Sequence, residues 1–300
     1  MKSKLGPTIL LVGCAALLAL LMFLFLPRRS HFPSLPTPNG YDVLVTEAAK
    51  IVRSSTGTKD MSSNQLAAVV VTNEAVVRAV REALNLPSIL PVELTEKWVS
   101  SPHLQNRINL KAVASALDAE ATLCRLRGDS TNSLSLYIDQ IRLGHAMMSG
   151  GVLIDYMVGS AVEAWGSSRI TNLLSNLTAD DCRRAAGLLS ELDNNRDSFE
   201  AFTARELEWQ RNAYSAFHRF KLGFRKYVLR DSDPFGDMAG DPEVVYKRRG
   251  LEFRRLLLKL ATRAYQLENG HNPSTASELV PAYLKAIPLN PETGTPLQLP

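Results

Sequence analysis

Four aspartates, Asp231, Asp233, Asp237 and Asp241, fall around Gly236 in the stretch RDSDPFGDMAGDP. Hard cations such as calcium take several oxygen ligands close together, so these four are the candidate metal ligands. Their spacing departs from an EF-hand. Counted from Asp231, Phe235 takes the fifth place and Pro242 the twelfth, where the loop needs an oxygen ligand and a glutamate. That departure favours the competing reading, a solvated acidic turn between helices. Histidines stand at 31, 103, 145, 218 and 271, none in an HExxH or comparable ligand spacing. His145, in LGHAMM, reads as a packed or half-exposed helix residue. The chain has no GxSxG elbow, no Walker loop and no GxGxxG. Glu206 and Glu208 lie two apart on a helix and so face different ways. Asp180 and Asp181 sit in a first helical turn, where the helix dipole accounts for them. No catalytic or cofactor-binding residue is named, and no cofactor is expected.

A second constellation is electrostatic. From Trp209 to Arg230 the chain carries Arg211, Arg219, Lys221, Arg225, Lys226 and Arg230 without a single acid. Trp209, Tyr214, Phe217, Phe220, Phe224 and Tyr227 are interleaved with them. Such a helix can rest on anionic lipid headgroups, with Arg219, Lys221, Arg225 and Lys226 as the contacts. The alternative is an apolar stripe facing the protein's own core, with the bases as its solvated face. Basicity is regional: residues 205–263 hold 14 bases against 8 acids, whereas residues 30–204 hold 15 against 19. The pI near 9.0 therefore gives no support to a nucleic-acid partner, and none is expected.

Elements must hold these residues, and the first is unlike the rest. Eighteen residues from Ile9 to Leu26 have no charge or strongly polar group, and counting from Leu5 there are 22. That spans a hydrocarbon core as a helix. Lys2 and Lys4 precede the run; Pro27, Arg28 and Arg29 end it. Bulky FLFLP at its close argues against a cleaved signal peptide. Twelve apolar residues after Cys14 argue against reading LVGC as a lipobox. A single-pass anchor is expected, with the lipid bilayer as partner, the N-terminus cytoplasmic and the bulk extracytoplasmic.

The remaining chain, with 45% hydrophobic residues overall, is sufficient for a real core. Residues 1–29 form the anchor, 30–40 a Pro-rich extended linker, 41–242 a helical domain, and 243–300 a long helix with a tail. Ser62 and Gln65 make a capping box ahead of an apolar face from Leu66 to Leu84. A helix from about Leu104 to Arg127 carries Ile108, Val113, Leu117, Ala121 and Cys124 on one side. Gly128-Asp129 turns the chain into a helix with Leu134, Tyr137, Ile138, Ile141 and Met148 inward. Further helices run from about Val152 to Ser175, from Thr178 with Asp181 through Leu192, from Asp197 to Val228, and from Glu243 to Asn269. Gly270 caps the last. The fold class is all-α, built as antiparallel hairpins. A Cys124–Cys182 bridge is open to an oxidising compartment; two separate small core residues is the favoured reading.

The stretch AYQLENGHNP, followed by ELVPAYLKAIPLNPETGTPL, resembles the C-terminal part of type II secretion pseudopilins. Gly270, Pro273, Leu279, Pro281, Tyr283, Leu284, Pro288, Pro291 and Gly294 fall at matching places. Asn272 stands for the usual aromatic, and Asn290 to Gly294 replaces Asp-Pro-Trp-Gly. The likeness covers Leu256 to Leu297 only, and the start departs from prepilins: PTILL follows Gly6, without their glutamate. Anchor, linker, hairpins and tail together resemble uncharacterised membrane-anchored families of planctomycete-like bacteria, a likeness that implies location and not chemistry. The expected function is a non-enzymatic interaction or envelope-organising module with protein partners in the envelope. A secretion-machinery-associated component and a motif-less envelope hydrolase or metal-dependent enzyme are the alternatives.

Overall fold

A computed structural model describes residues 30–54, 56–99, 102–214 and 241–299. The chain divides into two units, Met1–His31 and Phe32–Pro300. The apolar run Leu5–Leu26 lies outside the described residues, and among those described no helix is long and apolar enough to cross a membrane. Also outside are Asp231, Asp233 and Asp237, together with Arg219, Lys221, Arg225 and Lys226.

The described part of Phe32–Pro300 is all-helical. Its eight α-helices are α1 (Gly40–Ala48), α2 (Ser63–Ala83), α3 (His103–Leu126), α4 (Ser130–Met148), α5 (Leu153–Leu173), α6 (Ala179–Asn194), α7 (Phe199–Ala213) and α8 (Pro242–Asn269). Extended pairing among the described residues is limited to one antiparallel bridge, Leu289 with Pro296. Local signals set most helix ends. Ser62 and Gln65 bond reciprocally at the start of α2, and Thr178 and Asp181 do so at the start of α6. The Asp129 side chain accepts the Asn132 N–H, while Gly128, at φ +80°, lets the chain reverse between α3 and α4. Asp241, the described member of the aspartate cluster, is a helix cap: its carboxylate accepts the Glu243 N–H ahead of α8.

Two features add to the sequence reading and two depart from it. Helix α1 carries no obvious periodic signal, yet Tyr41, Leu44 and Ala48 are buried. The Pro-rich linker is docked at its end, because the buried Asn39 amide donates to the Ile89 carbonyl and accepts the Ile89 N–H. The helix expected from Asp197 to Val228 stops at Ala213, where Tyr214 turns to extended backbone at φ −104°, ψ 139°. On α3, Ile108 is 38% exposed while Leu110 is buried. Five residues separate Ile108 from Val113, which puts them on different faces of a 3.6-residue helix.

The tail folds onto α8. Leu279 and Leu284 are buried, Val280 and Tyr283 are half-buried, and Leu289 stays 48% exposed. Tyr265 Oη donates to Glu278 at 2.8 Å, Tyr283 Oη to Glu268 at 2.7 Å, and Arg254 to the Leu289 carbonyl at 2.8 Å. Gly270, at φ +76°, ends α8 as its cap. Cys124 and Cys182 are both free thiols, and burial pushes the Cys182 thiol up to about 11.

The most extensive helix pairing is α4 with α5, antiparallel across a four-residue turn. Its contact line is glycine. A Cβ added at Gly159 would stand 2.5 Å from the Gly144 carbonyl oxygen, and one at Gly144 would stand 2.7 Å from the Glu163 backbone nitrogen. One added at Gly166 would meet the Tyr137 carbonyl at 3.0 Å. Backbone touches backbone here, so no side chain can be repositioned to make room. Gly159→Ala is expected to lower stability by about 1–3 kcal/mol through overpacking. Gly187→Ala on α6, where a Cβ meets nothing within 4 Å, is expected to raise it by about 0.5–1 kcal/mol. Urea midpoints of the two variants check this, and equal midpoints would remove the crossing as a packing constraint.

Candidate functional site

The close α4–α5 crossing sets chemistry beside it. Gly144 is followed by His145, and the Gly144 contact on the Glu163 backbone brings that imidazole to Glu163, with His145 Nδ1 3.9 Å from Glu163 Oε1. Glu163 is 3% exposed, and a carboxylate buried so deeply needs a partner. Arg196, in the turn after α6, supplies it with two parallel bonds: Nη1 to Oε2 at 2.9 Å and Nη2 to Oε1 at 3.1 Å. The guanidinium also lies 4.9 Å from the Phe253 ring centroid and 3.5 Å, through Nε, from Asp193. Asp193 in turn accepts from Arg254 of α8 at 2.7 Å. The cluster thus ties α5, α6 and α8 together.

Electrostatics follow from burial. Desolvation works against the Arg196 charge, but the Glu163 carboxylate outweighs it and the guanidinium is raised further. Burial raises the Glu163 carboxyl, with Arg196 pulling the other way. Burial lowers His145, and Arg196 lowers it again, to about 4. The ring is therefore neutral near pH 7, its charged form opposed first by burial and then by Arg196.

His145 also lines the largest opening among those described, a groove of about 820 Å³. The linker residues Leu35 and Pro36, the loop after α2, and α6 form its other walls. Leu35 and Leu188 are 49% and 43% exposed on these walls. Arg142 fixes the loop by donating to the Leu84 carbonyl at 2.6 Å and to Asn85 at 3.0 Å. The groove combines apolar walls with a few polar groups, which is the make-up of a binding site.

A general base works best with a pKa near the operating pH, and His145 falls well below. Both oxygens of Glu163 are occupied. His145 Nδ1 has no hydrogen-bond partner among the described residues. No group of three His, Cys, Asp or Glu among the described residues could hold a metal ion.

A second buried cluster is a strut. His103 Nε2 lies 2.6 Å from Asp155 Oδ1, and Trp98 stacks on the imidazole at 4.0 Å. Asp155 accepts the Val152 N–H through its other oxygen at 3.1 Å. His103 is 3% exposed and Asp155 fully buried, so the contact is an interior one. A third set closes the end of the bundle. Asp197 accepts from the Gly150 N–H at 2.9 Å and from Arg205 at 2.8 Å, and Arg205 also donates to the Gly151 carbonyl at 2.7 Å.

Reading the sequence missed these pairs. His103 and Asp155 are 52 residues apart and Glu163 and Arg196 are 33 apart, and no local spacing announces either. His271 is exposed at the tail, where its ring lies 3.0 Å from the Asn272 carbonyl. No family model matches the chain, and comparison with curated proteins and with solved structures returns no match.

The neutral imidazole has a measurable consequence. In the unfolded chain a histidine titrates near 6.5, whereas here the folded value is about 4. Between those limits the unfolded state holds the extra proton, so His145 makes stability fall as pH drops from about 6.5 to about 4. The loss should reach about 2 kcal/mol by pH 5. Glu163, raised by burial, pulls the opposite way and stays in place when His145 is replaced. Urea titrations at pH 7.5 and pH 5 should therefore show a smaller pH penalty for His145→Gln than for wild type. An unchanged penalty would mean the imidazole is not held neutral.

Proposed function

We propose that the protein is a membrane-anchored, extracytoplasmic helical module that acts by binding other envelope proteins and not by catalysis. One observation carries the reading: the groove sets exposed apolar residues beside an imidazole whose neighbouring carboxylate is already held by arginine. Arg196 takes both Glu163 oxygens, His145 is neutral, and exposed Leu35 and Leu188 are left facing outward. A groove of about 820 Å³ suits a short protein segment carrying one or two apolar anchors. The run Leu5–Leu26 between Lys4 and Arg28 supports the anchor. The slight excess of positive charge ahead of that run supports a cytoplasmic N-terminus.

A second reading, a secretion-machinery-associated component, draws on the tail, whose buried Leu279 and Leu284 hold it against α8. Both readings meet one experiment. A photo-crosslinking residue is placed at Leu188 in intact cells, with Val71, 73% exposed on α2, as the control position. Crosslinked species are then identified from carbonate-washed membranes. The expected result is a small set of envelope proteins captured at Leu188 and not at Val71. Secretion ATPase or secretin subunits in that set would select the second reading. Recovery of the chain in the soluble fraction, or identical capture at both positions, would overturn the proposal.

A further inference from the structure

Residues 52–54 and 56–61, between α1 and α2, line a cavity of about 520 Å³ whose floor is α2, α3 and α5. They are pinned at three points. Asn73 accepts the Val52 N–H at 2.9 Å and donates to the Val52 carbonyl at 3.1 Å. Arg53 donates to Asn109, and Thr58 donates to Asp118. Asp118 is fully buried and does not line the cavity. It holds Arg169 by two bonds, from Nε at 2.7 Å and from Nη2 at 2.8 Å. That pairing fixes the plane of the guanidinium while leaving its Nη1 edge outside the pair. Burial works against the Arg169 charge, and the bonds to Asp118 more than restore it.

The lining has two characters. Arg53, Lys59 and Arg169 meet one acid, Asp60, on the cavity wall. Neither Arg53 nor Lys59 is ion-paired with a carboxylate of the described residues. The rest of the lining includes apolar Val69, Met61 and Trp165, with Trp165 one turn before Arg169 on α5, and Val52 is left 57% exposed. Cations together with an indole and aliphatic neighbours in one lining match one class of ligand. Apolar wall area wants a hydrophobic body, and an oriented guanidinium beside a lysine wants a carboxylate or phosphate.

We propose that this cavity binds a small amphiphilic anion, its acidic head between Arg53, Lys59 and Arg169 and its apolar body against Trp165. The site is separate from the His145 groove and does not depend on the protein-binding role. A pre-oriented guanidinium lowers the ordering cost of binding, and the buried Asp118 behind it keeps that orientation. Because Asp118 offsets the Arg169 charge and Asp60 offsets part of that of Arg53 and Lys59, a small positive excess remains, and binding should weaken as salt rises.

Isothermal titration calorimetry on the full chain in neutral detergent, against a matched detergent blank, tests the site. The probes are 4-phenylbutyrate, phenyl phosphate and the uncharged 4-phenylbutanamide. One-to-one saturable binding of at least one acid, tighter than the amide, is expected, and the preferred acid names the head group. Lys59→Glu should weaken it by about tenfold or more. Ala112→Phe, which fills the cavity from α3, should abolish it, while Lys285→Glu on the tail should leave it unchanged. Lys59 is exposed, so its variant reports on binding even if the filled cavity fails to fold. Equal binding of acid and amide, no saturable heat with either acid, or a Lys59→Glu variant that binds like wild type would each overturn the site.

Discussion

Helices α4 and α5 touch through their backbones, and the arrangement of the buried charges depends on it. Gly144 lies against the Glu163 backbone and Gly159 against the Gly144 carbonyl, so the two axes approach more closely than side chains would allow. That approach brings His145 beside Glu163. It also leaves α5 with small and polar residues on a buried face, Gly159, Ser160, Glu163 and Gly166, beside buried Tyr156, Val162, Ile170 and Leu173. Tight van der Waals packing and paired charges therefore add to hydrophobic burial in docking this helix.

Those charges explain how the bundle closes. Removing one member of a buried ion pair costs about 3–5 kcal/mol, because the other is left without compensation. Glu163 with Arg196 and Asp118 with Arg169 each join segments distant in sequence, and the Asp155–His103 hydrogen bond does the same. Each pair is worth little as net stabilisation but penalises every arrangement that separates its partners. The same saturation bears on function. Where His145 and Glu163 could have formed an acid–base pair, Arg196 has taken the carboxylate, and the imidazole is left with hydrogen-bonding capacity only.

Helix boundaries were legible in the sequence wherever a cap was local. The Ser62 and Thr178 boxes, the turn at Gly128 and the end at Gly270 lie where the residues say. The apolar face of α4 was equally plain, with Leu134, Tyr137, Ile138 and Ile141 all buried. Helix α1 was not legible, because nine residues give too few turns for a periodic pattern. Nor was the stop at Ala213, where no glycine or proline marks the break before Tyr214. The candidate site was almost wholly hidden. Its groove is assembled from the linker, the loop after α2, α4 and α6, and Arg196 meets Glu163 only once α5 and α6 are folded. Its clearest advance sign was the unusual glycine count on the facing helices, with Gly144, Gly159 and Gly166 at places where alanine would favour the helix.

If the backbone contact of α4 with α5 is what the rest of the fold depends on, that crossing is the part that opens last. Native-state hydrogen exchange, followed by mass spectrometry on the full chain, measures this directly. The account predicts that amides of residues 137–148 and 156–170 exchange slowest and as one cooperative unit, with α1 and the tail after Gly270 opening earlier. Exchange of α4 and α5 ahead of α6 and α8, or independently of each other, would contradict it.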